Sequence, residues 1–234
     1  MITENMRGLI KNGATIRAMF EEGKELARKY GKENVYDFSL GNPNVETPEE
    51  IKKLICEIVS EEDSLNLHGY MSNSGYEDVR KTIANSINKK YELNIDEQSI
   101  VMTCGAAGGL NIIFKSILEE GDEVIVFAPF FGEYSNYIKN FNGKEVIAST
   151  EENTFLLYFE DLKRNITERT KAVIINSPNN PTGVIYSSKV IEDICFVLKQ
   201  KQLEYNNDIY LIADEPYREL VYDDTDVPYI FNYY

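Results

Sequence analysis

The first ninety residues of the chain contain apolar positions at helical spacing, three or four residues apart. This spacing predicts three amphipathic helices. The first covers about 15–30, and the third runs from Tyr76 to about Lys90. The second begins with a capping box at 47–50, in which Pro48 takes the first helical position. The second helix is expected to turn its apolar residues inward: Ile51, Leu54, Ile55, Ile58 and Val59. A short apolar run over 35–40 is typical of a strand. The polar stretch over 66–75 predicts a loop that contains the single histidine, His68.

From residue 100 onward the pattern changes to short apolar runs that alternate with helical stretches. Runs of this kind predict five buried strands: 100–103, 123–127, 144–148, 172–176 and 209–213. Helices are expected from the glycine-rich turn at 105 to about Leu118 and near 132–141, 159–166 and 187–202. Strands that alternate with helices indicate an α/β fold, with a mostly parallel sheet that is covered on both faces.

Composition and charge narrow the classes of function. A net charge of −15 argues against nucleic acid or an anionic membrane as a partner. No apolar run approaches the roughly 20 residues of a membrane span. The three widely spaced cysteines form no metal or redox motif, so no metal site is expected. Their odd number, without a secretory leader, predicts a reducing, cytoplasmic location.

Polar or glycine-rich segments follow several of the predicted strands. Carboxyl ends of parallel strands meet at one edge of a sheet, so these segments are expected to converge there. The turn Gly105-Ala106-Ala107 begins a helix, whose unpaired N–H groups suit a phosphate, although a tight turn needs no ligand. Phe131 is placed to stack on a planar ring, or simply to pack in the core.

Two further segments bring an amide, a carboxylate and a phenol to the same edge. Asn180 lies between Pro178 and Pro181, which restrict the backbone and favour a fixed amide that donates to a phenolate oxygen. Asp214 ends an apolar strand, where a carboxylate needs a cation or several donors, such as a protonated pyridine nitrogen. Tyr217 is suited to share the phenolate oxygen with Asn180. Turn formation, capping and loop packing remain alternatives for these residues.

The Asn-Pro-Thr-Gly string at 180–183 and the Asp-x-x-Tyr string at 214–217 resemble signature segments of the class I/II aminotransferases of fold type I, which bind pyridoxal 5′-phosphate (PLP). The resemblance covers nearly the whole chain and implies an α/β/α sandwich. It implies that residues 1–45 are an N-terminal arm with part of a small domain and that 46–234 are an incomplete PLP-binding large domain. The implied cofactor contacts are Gly105, Ala106, Ala107, Phe131, Asn180, Asp214 and Tyr217. The resemblance also implies Gly41 near the substrate carboxylate and Tyr70 at the phosphate of the neighbouring subunit, hence a homodimer.

One departure from the family's pattern concerns the lysine that binds the cofactor as a Schiff base. The family's Ser-x-Ser-Lys segment is absent, and the last lysine of the chain is Lys201. No catalytic residue is therefore identified. We interpret the chain as a fragment, inactive by itself, of an enzyme that transfers an amino group between an amino acid and a 2-oxo acid. A carbon–sulfur β-lyase on the same scaffold and a non-catalytic PLP-binding protein remain alternatives.

Overall fold

The computed structural model describes residues 2–38, 41 and 45–234, except for the side chains of residue 5 and residues 9–17. The chain divides into two units, Met1–Tyr70 and Met71–Tyr234. This division lies beyond the boundary after residue 45 that the sequence suggested. The assignment of the two parts as an arm and a large domain stays a prediction.

The first unit is helical. It contains α1 (Glu4–Tyr30), α2 (Glu49–Glu61) and α3 (Ser64–His68). Helix α1 begins well before the predicted residue 15, because the Thr3 hydroxyl accepts a hydrogen bond from the Met6 amide at 3.2 Å and caps the helix. The helix ends at Gly31, whose φ of 90° favours glycine.

Three local predictions in the first unit are wrong. Pro48 occupies the N-cap of α2 without a side-chain hydrogen bond, so the capping box does not form. His68 is the last residue of α3 rather than part of a loop, because Asp63 caps this helix through the amides of Leu65 and Asn66. Residues 35–38 form no strand, and the rest of that predicted run lies outside the described residues.

The apolar face of α2 is exposed, although its spacing led us to expect burial. The five residues on this face are 46–62% exposed: Ile51, Leu54, Ile55, Ile58 and Val59. The helical period was therefore predicted correctly. Burial was not, because periodicity reports which side chains share a face and not what that face contacts.

The second unit is the predicted α/β structure. Its helices are α4 (Glu77–Tyr91), α5 (Gly105–Ile117), α6 (Tyr134–Lys139), α7 (Phe159–Asn165) and α8 (Ser188–Tyr205). Its strands are β1 (Glu123–Ala128), β2 (Lys144–Ser149), β3 (Thr170–Asn176) and β4 (Tyr210–Asp214). The strands form one sheet in the order β2-β1-β3-β4, and every pair is parallel, as expected. Among the residues described, no helix is both long and apolar enough to cross a bilayer.

Alternate residues of the strands supply two apolar clusters, one on each face of the sheet. One cluster joins strand residues to α7 and α8, and includes Ile125, Phe127, Val173, Leu162, Ile194 and Leu198. The other joins strand residues to α5 and α6, and includes Val124, Val126, Ala172, Phe114, Tyr134 and Ile138. Successive side chains of each strand thus point to opposite faces of the sheet, and helices pack on both faces. This arrangement confirms the predicted sandwich.

The predicted strand at 100–103 is absent. This segment pairs with no strand among the described residues, and a backbone hydrogen bond joins the Met102 amide to the Ser74 carbonyl at 2.9 Å. Val101 is 56% exposed and Met102 is 42% exposed. A strand needs a hydrogen-bonding neighbour as well as apolar residues, and the neighbour cannot be inferred from a four-residue run.

The buried phenol of Tyr186 makes the free energy of unfolding depend on pH in the alkaline range. Tyr186 is 2% exposed, and burial raises its pKa from the usual 10.0 to about 12. The contribution of this phenol is therefore full below pH 10 and is lost as the pH rises to about 12, because the unfolded chain releases the proton first. In Tyr186→Phe, we expect the fall in unfolding free energy across this window to be smaller by on the order of 2 kcal/mol in urea titrations.

Tyr222→Phe is the matched control, since Tyr222 is 83% exposed. This variant should keep the pH dependence of the unmodified chain. An equal alkaline fall in all three proteins would contradict the assignment to Tyr186.

Candidate functional site

A small cavity lies at the carboxyl ends of β3 and β4. Its volume is about 130 Å³, and its lining combines polar, aromatic and small residues: Ala106, Phe131, Asn176, Asn180, Asp214, Pro216 and Tyr217. Five of the eight residues predicted to contact the cofactor therefore line one cavity. The sheet positions them, since β3 ends at Asn176 and β4 ends at Asp214.

Asp214 is held from two sides. In the register of the sheet it lies opposite Asn176, and its backbone carbonyl accepts a hydrogen bond from the Asn176 side-chain amide at 2.7 Å. Its side-chain Oδ2 accepts a hydrogen bond from the Tyr134 hydroxyl at 2.5 Å. A carboxylate with one oxygen bound in this way has its second oxygen left to receive a donor from the cavity.

Asn176 also connects Asp214 to the loop of Asn180. Its side-chain Oδ1 accepts a hydrogen bond from the Asn180 amide at 2.6 Å, while its Nδ2 donates to Asp214. Further along, the Asn179 side chain accepts from the amide and the hydroxyl of Thr182, at 3.1 and 2.8 Å. Hydrogen bonds accepted by two asparagine side chains therefore shape this turn, in addition to the proline restriction expected from the sequence.

The glycine-rich turn supplies the start of α5. Gly105 has a φ of +71°, a conformation that favours glycine, and Gly105, Ala106 and Ala107 are exposed. The N-cap residue, Cys104, makes no side-chain hydrogen bond to the first turn. The Gly105 amide donates to the Thr103 carbonyl at 2.9 Å, so the first-turn amides that follow it are the ones left to interact with an anion or water. Ala106 brings this helix start to the cavity.

Phe131 and Tyr217 form the aromatic part of the lining, and each is about one-third exposed, at 37% and 36%. The ring of Phe131 meets that of Tyr134 edge to face, with 5.6 Å between centroids. The segment that contains Tyr217 is held by Arg218, which forms an ion pair with Glu215 and donates to the carbonyl of Val227 at 2.7 Å.

The two remaining predicted residues belong to the first unit. Tyr70 is fully exposed, and Gly41 is also exposed. The motif neighbours of Gly41, Ser39, Leu40, Asn42 and Pro43, lie outside the described residues. The roles of Gly41 and Tyr70 stay predictions.

Two residues at the site were not predicted to have a role. Tyr134 is 1% exposed and contacts Asp214, and Asn176 is 5% exposed and contacts both Asp214 and Asn180. For Asn176 there was a usable signal, because an amide that ends an apolar strand must find partners. For Tyr134 the sequence offers no such signal, since its partner is 80 positions away.

Comparison with known proteins agrees with this fold. Residues 33–232 match the family model for aminotransferases of class I and II. An aspartate aminotransferase of Pyrococcus horikoshii is 32% identical over 93% of this chain and 52% of its own length. A probable aspartate/prephenate aminotransferase of Aquifex aeolicus is 34% identical over 82% of this chain and 46% of its own length.

Solved structures give the same result. An aminotransferase from Eubacterium rectale superposes with a TM-score of 0.93 at 38% identity, and the match covers all of this chain and 59% of the other. The aspartate aminotransferase of Thermus thermophilus with maleate has a TM-score of 0.78 at 29% identity, over 91% of this chain and 53% of its own.

The chain therefore belongs to the class I and II aminotransferases, a family whose members use PLP. It spans about half the length of the curated relatives it matches, between 46% and 55%.

The two hydrogen bonds of the Asn176 side chain predict a measurable role in stability. Replacing Asn176 with alanine leaves the Asp214 carbonyl and the Asn180 amide without this partner, and a polar group left unpaired in a buried place costs about 1–3 kcal/mol. We expect the free energy of unfolding to fall by about that amount in urea titrations. Asn153→Ala, at an exposed position, should change it by less than about 0.5 kcal/mol. Equal effects of the two substitutions would contradict this role of Asn176.

Proposed function

We propose that the second unit holds PLP for an aminotransferase reaction between an amino acid and a 2-oxo acid. The observation that carries this proposal is the single cavity lined by Asp214, Asn180, Tyr217 and Phe131 next to the start of α5. This lining has a matching group for each part of PLP: the pyridinium nitrogen, the phenolate oxygen, the flat ring and the phosphate. The small volume, about 130 Å³, suits the contact edge of the ring rather than the whole cofactor.

Each lining residue has a definite task in this proposal. The Asp214 carboxylate accepts a hydrogen bond from the protonated ring nitrogen, a charge-assisted contact. Asn180 and Tyr217 donate to the ring oxygen, and Phe131 packs against the ring face. When bound, PLP supplies an aldehyde carbon that takes the amino group and a ring that withdraws electrons from the substrate.

The phosphate is the group that the overall charge of −15 disfavours most. The amides at Ala106 and Ala107 offset this field locally, because they lie in the first turn of α5 at the positive end of its dipole, and Gly105 has no side chain to keep the phosphate away from them. Tyr70 is proposed to reach the phosphate from a second copy of the chain, in a homodimer. Gly41 is proposed to lie near the substrate carboxylate.

The amino donor stays open, because the relatives carry different names, such as aspartate aminotransferase and probable N-acetyl-LL-diaminopimelate aminotransferase. These names favour the aminotransferase over the β-lyase, which would use the same ring contacts. The three cysteines, Cys56, Cys104 and Cys195, are free thiols, which supports the proposed reducing, cytoplasmic location. A biosynthetic role there is part of the same proposal and rests on the family alone.

Binding of pyridoxamine 5′-phosphate, the amine form of the cofactor, tests the proposed site without requiring a lysine. We expect saturable binding in fluorescence or calorimetric titrations. Asp214→Ala should weaken it about 10- to 100-fold, because a hydrogen bond to a charged group contributes roughly 1.5–3 kcal/mol.

Asp226→Ala is the matched control, since Asp226 is an exposed carboxylate that does not line the cavity. It should bind pyridoxamine 5′-phosphate as the unmodified chain does. Binding that fails to saturate, or that is unaffected by Asp214→Ala, would contradict the proposed function.

The cavity lining predicts how the lysines behave towards PLP itself. No lysine is among the residues that line the cavity, and none follows Lys201. We expect stoichiometric PLP, followed by borohydride reduction and peptide mapping, to leave no complete adduct at a single lysine. One lysine labelled to completion would show that a covalent anchor lies within this chain and would overturn that expectation.

A further inference from the structure

Tyr134 forms a short hydrogen bond with the carboxylate at the centre of the site. The distance from its hydroxyl oxygen to Asp214 Oδ2 is 2.5 Å, which is typical of an O–H donor bound to a charged carboxylate. The phenol is 1% exposed, at the first residue of α6, and its ring is part of the apolar cluster between the sheet and helices α5 and α6. The ring is therefore held by packing while its hydroxyl reaches the end of β4.

The direction of this hydrogen bond follows from the surroundings of the phenol. Burial first, and then the hydrogen bond to Asp214, raise the pKa of Tyr134 far above its usual value of 10.0. Charge interactions with Asp214, Tyr217 and Tyr137 raise it further. The hydroxyl consequently keeps its proton at neutral pH and is the donor, while Asp214 Oδ2 is the acceptor.

With Oδ2 occupied, the orientation of the carboxylate is restricted. The backbone of Asp214 is held independently by Asn176, so the carboxylate is fixed at its base and at one of its two oxygens. Asp214 lines the cavity, and Oδ1 is the carboxylate oxygen for which the described contacts include no hydrogen bond.

We infer that Tyr134 positions the Asp214 carboxylate, so that Oδ1 accepts the hydrogen bond of a protonated pyridine nitrogen. The inference rests on the proposed function. Tyr134 acts only through Asp214, and no contact of its own with the ring is required. A tyrosine that merely fills the core would affect stability but not the protonation of a bound ring.

A first experiment needs no ligand. Tyrosine labelled at Cζ reports ionisation of each phenol by NMR, and Tyr134 is expected to keep its proton well above the usual phenol pKa of 10.0 in the unmodified chain. In Asp214→Asn, which keeps the shape but removes the charge, Tyr134 should ionise at a lower pH, because the charged acceptor is gone. An unchanged Tyr134 titration would overturn the inference. This arm also remains decisive if Tyr134→Phe fails to fold.

A second experiment follows the ring nitrogen of bound pyridoxamine 5′-phosphate, labelled with ¹⁵N. In the unmodified chain the nitrogen should keep its proton to a higher pH than in the free ligand. In Tyr134→Phe we expect the midpoint to fall by about one pH unit and affinity to fall about tenfold, which corresponds to one weakened charged hydrogen bond.

Tyr137→Phe is the matched control, because Tyr137 lies on the same helix and the described contacts include no hydrogen bond between it and Asp214. This variant should leave the midpoint unchanged. In an Asp214→Asn background, Tyr134→Phe should have no further effect. Equal midpoint shifts from the two phenylalanine variants, or a full Tyr134→Phe effect in that background, would overturn the inference.

The outcomes separate this inference from the proposed function. Failure of the unmodified chain to bind pyridoxamine 5′-phosphate would overturn the proposed function, and with it any contact to the ring. If the unmodified chain binds normally but Tyr134 titrates at the same pH in Asp214→Asn, the positioning role alone would be overturned.

Discussion

The pairing of β3 with β4 is the constraint on which the site depends. Their parallel register places Asn176 beside Asp214 at the ends of the two strands, and the Asn176 side chain then joins Asp214 to Asn180. A shift of β4 by one residue in this register would turn the Asp214 side chain to the opposite face of the sheet from the one it now occupies, while Asn176 stayed in place. The spacing of the groups proposed to contact the ring is thus set by the backbone pairing of β3 with β4, the last strand in the sheet order.

Electrostatics act on two length scales in this molecule. The net charge of −15 produces a field that disfavours anions, but salt screens it over about 8 Å under physiological conditions. The amides at the start of α5 act in direct contact, where screening is weak. A phosphate at Gly105 would therefore respond mainly to the local donors. The same reasoning applies to Asp214, whose nearest donor, Tyr134, lies within the apolar cluster.

Much of the second unit was predictable from the sequence. Short apolar runs located β1 to β4, and their alternation with helical patterns indicated the parallel sheet. Two of the errors share one physical cause. The run at 100–103 and the apolar face of α2 have the right residues for a strand and for a buried face, yet each needs a neighbour that local pattern does not supply. The early start of α1 has a local cause, since the Thr3 side chain caps the helix and threonine is a common N-cap residue.

The sequence by itself determined which chemical groups follow each strand, because strand ends and turn residues are local features: an amide at 180, a carboxylate at 214 and a phenol at 217. It also determined that Asp214 needed a partner, since a carboxylate at the end of an apolar strand is costly alone. Only the tertiary structure decided that this partner is Tyr134 and that Asn176 connects the two loops. These contacts join residues 80 and 38 positions apart, and the packing of α6 and β3 against the rest of the sheet brings them together.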